Sequence, residues 1–102
     1  MNILLQHIED WELSQKKLLE RAGLKIEIND EFDNEIGSRH IEVNGNDLDA
    51  RAVLWEDGFL ELIVLDEKTN EFVINTSCNV SEIYQLDENL NTWLNEIVIY
   101  TS

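Results

Sequence analysis

Two segments of alternating apolar character, residues 47–56 and 59–66, flank the dipeptide Asp57-Gly58, and this arrangement constrains the fold more than any other feature of the chain. Asp-Gly suits the two positive-φ positions of a type I′ turn, which joins neighbouring antiparallel strands and sets their register. That register predicts Trp55 opposite Leu60, Val53 opposite Leu62 and Ala52 opposite Ile63. The hairpin is apolar on both faces. One face carries Trp55, Leu60, Val53, Leu62 and Val64, and the other Ala50, Ala52, Leu54, Phe59, Ile63 and Leu65.

The rest of the chain supplies partners for this hairpin. Leu4, Ile8, Trp11, Leu18 and Ala22 recur at helical spacing, with Leu5 and Leu19 widening the stripe. Gly23 follows as a C-terminal stop, and Lys16, Lys17 and Arg21 complement the helix dipole. From Leu24 the period changes to two, and Leu24, Ile26 and Ile28 mark a half-buried strand. Ile41 and Val43 mark another strand, followed by turn chemistry at Asn44-Gly45-Asn46. A second turn over residues 67–70 leads into a strand containing Phe72, Val73 and Ile74. Leu86, Leu90, Trp93, Leu94 and Ile97 then return to helical spacing, with Ser81 or Asp87 as N-cap. The expected fold is α+β, a single domain over residues 1–102. In it a five-stranded antiparallel meander is flanked in sequence by an N-terminal and a C-terminal helix, both packed on one face. Two helices cover only one face of the central hairpin, and the pattern leaves open which. The other face is either an exposed patch or an interface with a second copy, as in a homodimer, or with a partner.

Charge limits the partners more than the chemistry. Twenty-two acidic residues oppose seven basic ones, a net charge of −15, yet 43% of the chain is hydrophobic, so it has the means to fold around a core. The negative field repels nucleic acid and anionic membranes and attracts cationic surfaces. The N-terminus lacks the basic start and cleavage site of a signal peptide, and the single cysteine, Cys78, has no internal disulfide partner, so a cytoplasmic location is expected.

Catalytic equipment is missing from the pattern. His7 and His40 stand on different elements without a cysteine at ligand spacing, so neither metal nor other cofactor is predicted. The four glycines, Gly23, Gly37, Gly45 and Gly58, fall at caps and turns rather than in a phosphate-binding loop. Cys78, at the end of a strand, reads as a small core filler. No carboxylate pair is isolated in apolar surroundings that would split its pKa values. A non-enzymatic protein is expected.

Acidity is concentrated along the chain. Residues 26–49 hold eight acids, Glu27, Asp30, Glu31, Asp33, Glu35, Glu42, Asp47 and Asp49, against one base, Arg39; residues 1–24 hold four acids and three bases. Reading Asp30 as the first ligand of a calcium loop fails, because Glu35 then occupies the obligatory glycine position. The segment is either a solvated loop or a binding surface for something basic. As a binding surface, its charged contacts are Asp30, Glu31, Asp33, Glu35, Asp47 and Asp49, with Phe32 either an apolar anchor or tucked into the core.

The opening helix with its early Trp, the strand Leu24-Lys25-Ile26-Glu27-Ile28, the hairpin Val53-Leu54-Trp55-Glu56-Asp57-Gly58 leading to Leu60-Glu61-Leu62-Ile63-Val64-Leu65-Asp66, and the closing helix together resemble the TriTu-type immunity proteins of bacterial polymorphic toxin systems. The resemblance implies a protein that binds and silences a cognate toxin domain. The family has no catalytic motif, so no residue role is carried over. Together with the charge, this leads to the expectation of an immunity protein that blocks a basic, nuclease-type toxin electrostatically and sterically. The alternatives are an acidic DNA mimic and a self-assembling adaptor domain, neither of them catalytic.

Overall fold

A computed structural model describes residues 3–28 and 37–101. The elements follow the order α1 (Ile3–Arg21), β1 (Lys25–Ile28), β2 (Ser38–Gly45), β3 (Leu48–Trp55), β4 (Phe59–Asp66), β5 (Glu71–Asn79) and α2 (Ile83–Thr101). The five strands pair antiparallel in sequence order, a simple meander with β1 and β5 at its edges. The expected α+β architecture is the observed one.

Each junction is built from local chemistry. Gly23, at φ +81°, ends α1 in a Schellman motif: the Leu24 amide donates to the Leu19 carbonyl at 2.9 Å and the Gly23 amide to the Glu20 carbonyl at 3.1 Å. Asn46 and Asp47, with φ of 52° and 62°, form the two-residue turn between β2 and β3. Asp66 opens the turn after β4 by accepting the Lys68 amide on Oδ1 at 2.9 Å, and Asn70 closes it at φ 59°. At the start of α2 the Gln85 side chain reaches back to accept the amides of Ser81 and Glu82 at 2.8 and 3.2 Å, half of a capping box. Asp87, one of the two expected caps, lies inside the helix and pairs with His7 at 2.7 Å.

The two helices run side by side in the same direction. His7 meets Asp87, and one turn later the Trp11 indole N–H donates to Asn91 Oδ1 at 3.1 Å. An odd number of antiparallel strands, with a chain reversal at each end, produces this parallel arrangement. Trp11 and Trp93 meet between the helices with ring centroids 6.4 Å apart, and Trp93 donates its indole N–H to the Ile63 carbonyl of β4 at 3.2 Å. The Tyr100 hydroxyl donates to the Asp66 carboxylate, fixing the end of α2 to the end of β4.

The helices and sheet differ from the sequence expectation in two respects. On α1 the buried residues are Leu5, Ile8, Trp11, Glu12 and Leu19, whereas Leu18 is 60% exposed and Ala22 is exposed. The helix has rolled about its axis relative to the expected stripe, carrying Glu12 inward. Arg39 of β2, also buried, bridges to Glu9 of α1 at 3.3 Å.

The second difference is the register of the central hairpin. Leu54 pairs with Leu60, Ala52 with Leu62 and Val53 with Glu61, one residue away from the expected pairing. The loop has three residues, Glu56, Asp57 and Gly58, and only Gly58, at φ +92°, adopts a positive φ. The Gly58 amide donates to the Trp55 carbonyl at 2.9 Å, while its own carbonyl accepts the Val80 amide at 2.8 Å. A one-residue slip exchanges the partners on each face. Leu48, Ala50, Ala52 and Leu54 therefore join Leu60, Leu62 and Val64 beneath the helices, all buried.

Candidate functional site

The sheet face opposite the helices carries three cross-strand rows. Reading from β1 to β5, the first is Lys25, Asn44, Asp49, Leu65 and Phe72, and the second Glu27, Glu42, Arg51, Ile63 and Asn75. The third, beginning on β2, is His40, Val53, Glu61 and Ser77. Trp55 and Phe59 lie beyond it, on either side of the three-residue turn. Chemistry changes across this face. The β1–β2 side is charged and polar, whereas β3 to β5 present Val53, Trp55, Phe59, Ile63, Leu65 and Phe72. Phe72 is 57% exposed and the other five are half-buried.

The bulge in the β4–β5 ladder between Val64 and Leu65 brings Phe72 opposite Leu65. There Asp49, Arg51, Ile63, Leu65 and Phe72 line a shallow depression of about 230 Å³.

The basic groups of this face are already engaged. Arg51 reaches Glu42 at 3.1 Å and Lys25 reaches Glu27 at 2.9 Å, so the two glutamates standing opposite each other across β1 and β2 each hold a cation. The hydrogen bond and charge of Lys25 hold Glu27 below the usual carboxylate range and raise Lys25 in turn. The Trp55 indole N–H points to Glu61 Oε1 at 3.4 Å. Against these two cations the three rows carry four carboxylates, Glu27, Glu42, Asp49 and Glu61, and more acids stand at the turns.

Of the residues expected to bind a partner, Asp49 sits on this face beside Arg51 and Phe72. Asp47 sits in the β2–β3 turn, its carboxylate 3.4 Å from Lys68 Nζ and its carbonyl accepting the Glu67 amide. Asp30, Glu31, Phe32, Asp33 and Glu35 lie outside the described residues. Gly37, where the described chain resumes, and Asp47 stand at opposite ends of β2, a strand of eight residues or roughly 25 Å.

The apolar part of the face was visible in the sequence only as two equivalent alternatives. Trp55 and Val53 are indeed on the uncovered side, but Leu60, Leu62 and Val64 are core residues, and their places are taken by Phe59, Ile63 and Leu65. Phe72 could have been found from its place in a strand that alternates poorly and carries one charge, Glu71, in nine residues. His40 lies on the open face opposite Val53, and Cys78 is half-buried against Asn89, its thiol pushed up by burial. Neither helix is long and apolar enough to cross a membrane.

Residues 6–96 match the model of a protein family described as immunity protein TriTu, a span that takes in all five strands and most of both helices. No curated protein matches the chain.

Proposed function

The chain belongs to the TriTu family of immunity proteins, and on that premise we propose that it neutralises a cognate toxin domain with a basic surface, by steric and electrostatic blocking and without catalysis. The observation that carries the basic partner is the net charge of −15, which far exceeds what solubility requires of so small a domain. A toxin that handles nucleic acid needs a cationic cleft for the phosphates. A folded acidic protein competes for that cleft, and its field accelerates encounter toward about 10⁸ M⁻¹s⁻¹ at low salt. Asp30, Glu31, Asp33, Glu35, Asp47 and Asp49 are the proposed charged contacts, with Phe32 as an apolar anchor beside them.

The test is protection of cells expressing the cognate toxin domain, together with association rates at two salt concentrations. Replacing Asp30, Glu31, Asp33 and Glu35 by Asn or Gln is expected to slow association several-fold and flatten its salt dependence. The matched control removes four exposed helix acids, Asp10, Glu20, Glu88 and Glu96. Glu9 and Glu12 are unsuitable for it, since one bridges to Arg39 and the other is buried. An unchanged association rate in the first variant, with a slowed one in the control, would assign steering to the helix side.

A further inference from the structure

We infer that the open sheet face is the docking surface for the toxin, with Trp55, Phe59 and Phe72 as apolar anchors and Asp49 and Glu61 as carboxylates that receive its cationic side chains. The inference rests on the toxin-neutralising reading and deepens it by naming the surface and its chemistry.

The three tryptophans divide the molecule by role. Trp11 and Trp93 lie against each other in the helix layer, and each spends its indole N–H within the protein, on Asn91 and on the Ile63 carbonyl. Trp55 lies on the opposite side of the sheet, half-buried, beside Glu61. Around it Val53, Phe59, Ile63, Leu65 and Phe72 extend the apolar surface across three strands. The helix layer already contains the chain's core, and this second apolar surface faces away from it. Aromatic anchors within a polar rim are the composition of an interface hot spot.

Charge selects the occupant. Arg51 and Lys25 are held by Glu42 and Glu27, whereas Asp49 and Glu61 pair with neither of these cations. Glu61, which accepts the Trp55 indole on one oxygen, can still receive a cation from outside. A lysine or arginine of the partner lays its aliphatic stem along Leu65 and Phe72 with its head at Asp49, or stacks its guanidinium on Trp55 within reach of Glu61. A second copy of this chain is the wrong occupant, because it brings another −15 and the same carboxylates against the same carboxylates.

The probe is the cognate toxin domain, with its activity abolished, and the readout is dissociation from immobilised immunity protein. Phe72→Ala and Trp55→Ala are each expected to raise the dissociation rate at least about 30-fold, the size of an interface hot spot. Asp49→Asn with Glu61→Gln should lower the association rate and its salt dependence. Leu13→Ala on α1 and Tyr84→Ala on α2, each 61% exposed on the helix layer, should leave dissociation unchanged. Urea midpoints confirm that each variant is folded, and Phe72, itself well exposed, is the variant least open to a folding artefact. If the wild type fails to bind or protect, the toxin-neutralising reading falls and takes this inference with it. If the wild type binds and protects while Phe72→Ala and Trp55→Ala dissociate at its rate, only the docking surface is overturned. A wild-type dimer in sedimentation that Phe72→Ala abolishes would assign the face to a second copy instead.

Discussion

Gly58 shows how one residue without a side chain decides the handling of a whole hairpin. At φ +92° it occupies a region that L side chains enter only with strain, and a Cβ built there would meet the Val80 carbonyl oxygen at 2.0 Å. That oxygen belongs to the link between β5 and α2, whose Val80 amide donates to the Gly58 carbonyl. Relief therefore requires moving backbone on both sides. Gly58→Ala is expected to destabilise the protein by about 2–3 kcal/mol, read from the urea midpoint. The Asp-Gly dipeptide announces the turn, but the three-residue geometry it adopts is one in which Val80, twenty-two positions along the chain, packs against Gly58.

The face that α1 buries is an element-scale matter. Leu18 and Leu19 are equivalent in hydropathy and adjacent in sequence, yet Leu19 is fully buried and Leu18 is 60% exposed. Leu19→Ala should cost about 2–5 kcal/mol, whereas Leu18→Ala should stay within about 0.5 kcal/mol, both measured by urea unfolding. The reverse ranking would restore the stripe through Leu4, Leu18 and Ala22. The helical period is plain in the sequence, but two overlapping stripes satisfy it. The true one includes Glu12, a residue whose charge argues against burial until its surroundings are known. The same ambiguity affects the hairpin, where both faces are apolar and a slip of one residue exchanges them.

Across the whole molecule, repulsion among the carboxylates governs how stability responds to solvent. Seven bases cannot pair with twenty-two acids, so added sodium chloride is expected to raise the urea midpoint by screening the surplus. On the pH axis of the same titration, Asp66 opposes the gain from neutralising the surplus charge. The Tyr100 hydroxyl, and after it the Lys68 amide, hold Asp66 below the usual carboxylate range. A folded pKa below the unfolded one contributes stability above the unfolded value, near 4, and loses it as pH falls through the folded value. The Asp66 contribution to the midpoint should therefore be lost below about pH 4, and Tyr100→Phe should shrink that loss. A midpoint that falls with salt would mean that the attractive pairs outweigh the repulsion.

Element order, the single meander, the turn at Asp57-Gly58 and the acidic character of the surface all follow from the sequence, because each depends on periodicity, caps or composition within a short stretch. Tertiary structure decided what depends on distant contacts. Val80 closes over Gly58 in the three-residue turn, and the register that goes with that turn puts Leu60 and Leu62 in the core and Phe59 and Ile63 on the open face. The roll of α1 onto the sheet buried Glu12 and released Leu18. Acids that are close in sequence need not be close in space, since an eight-residue strand separates Gly37 from Asp47 while the pairing of β3 with β4 and β4 with β5 brings Asp49 to Phe72. A strand carries its two ends apart but its neighbours together, and only the sheet as a whole determines which carboxylates share a surface with Trp55.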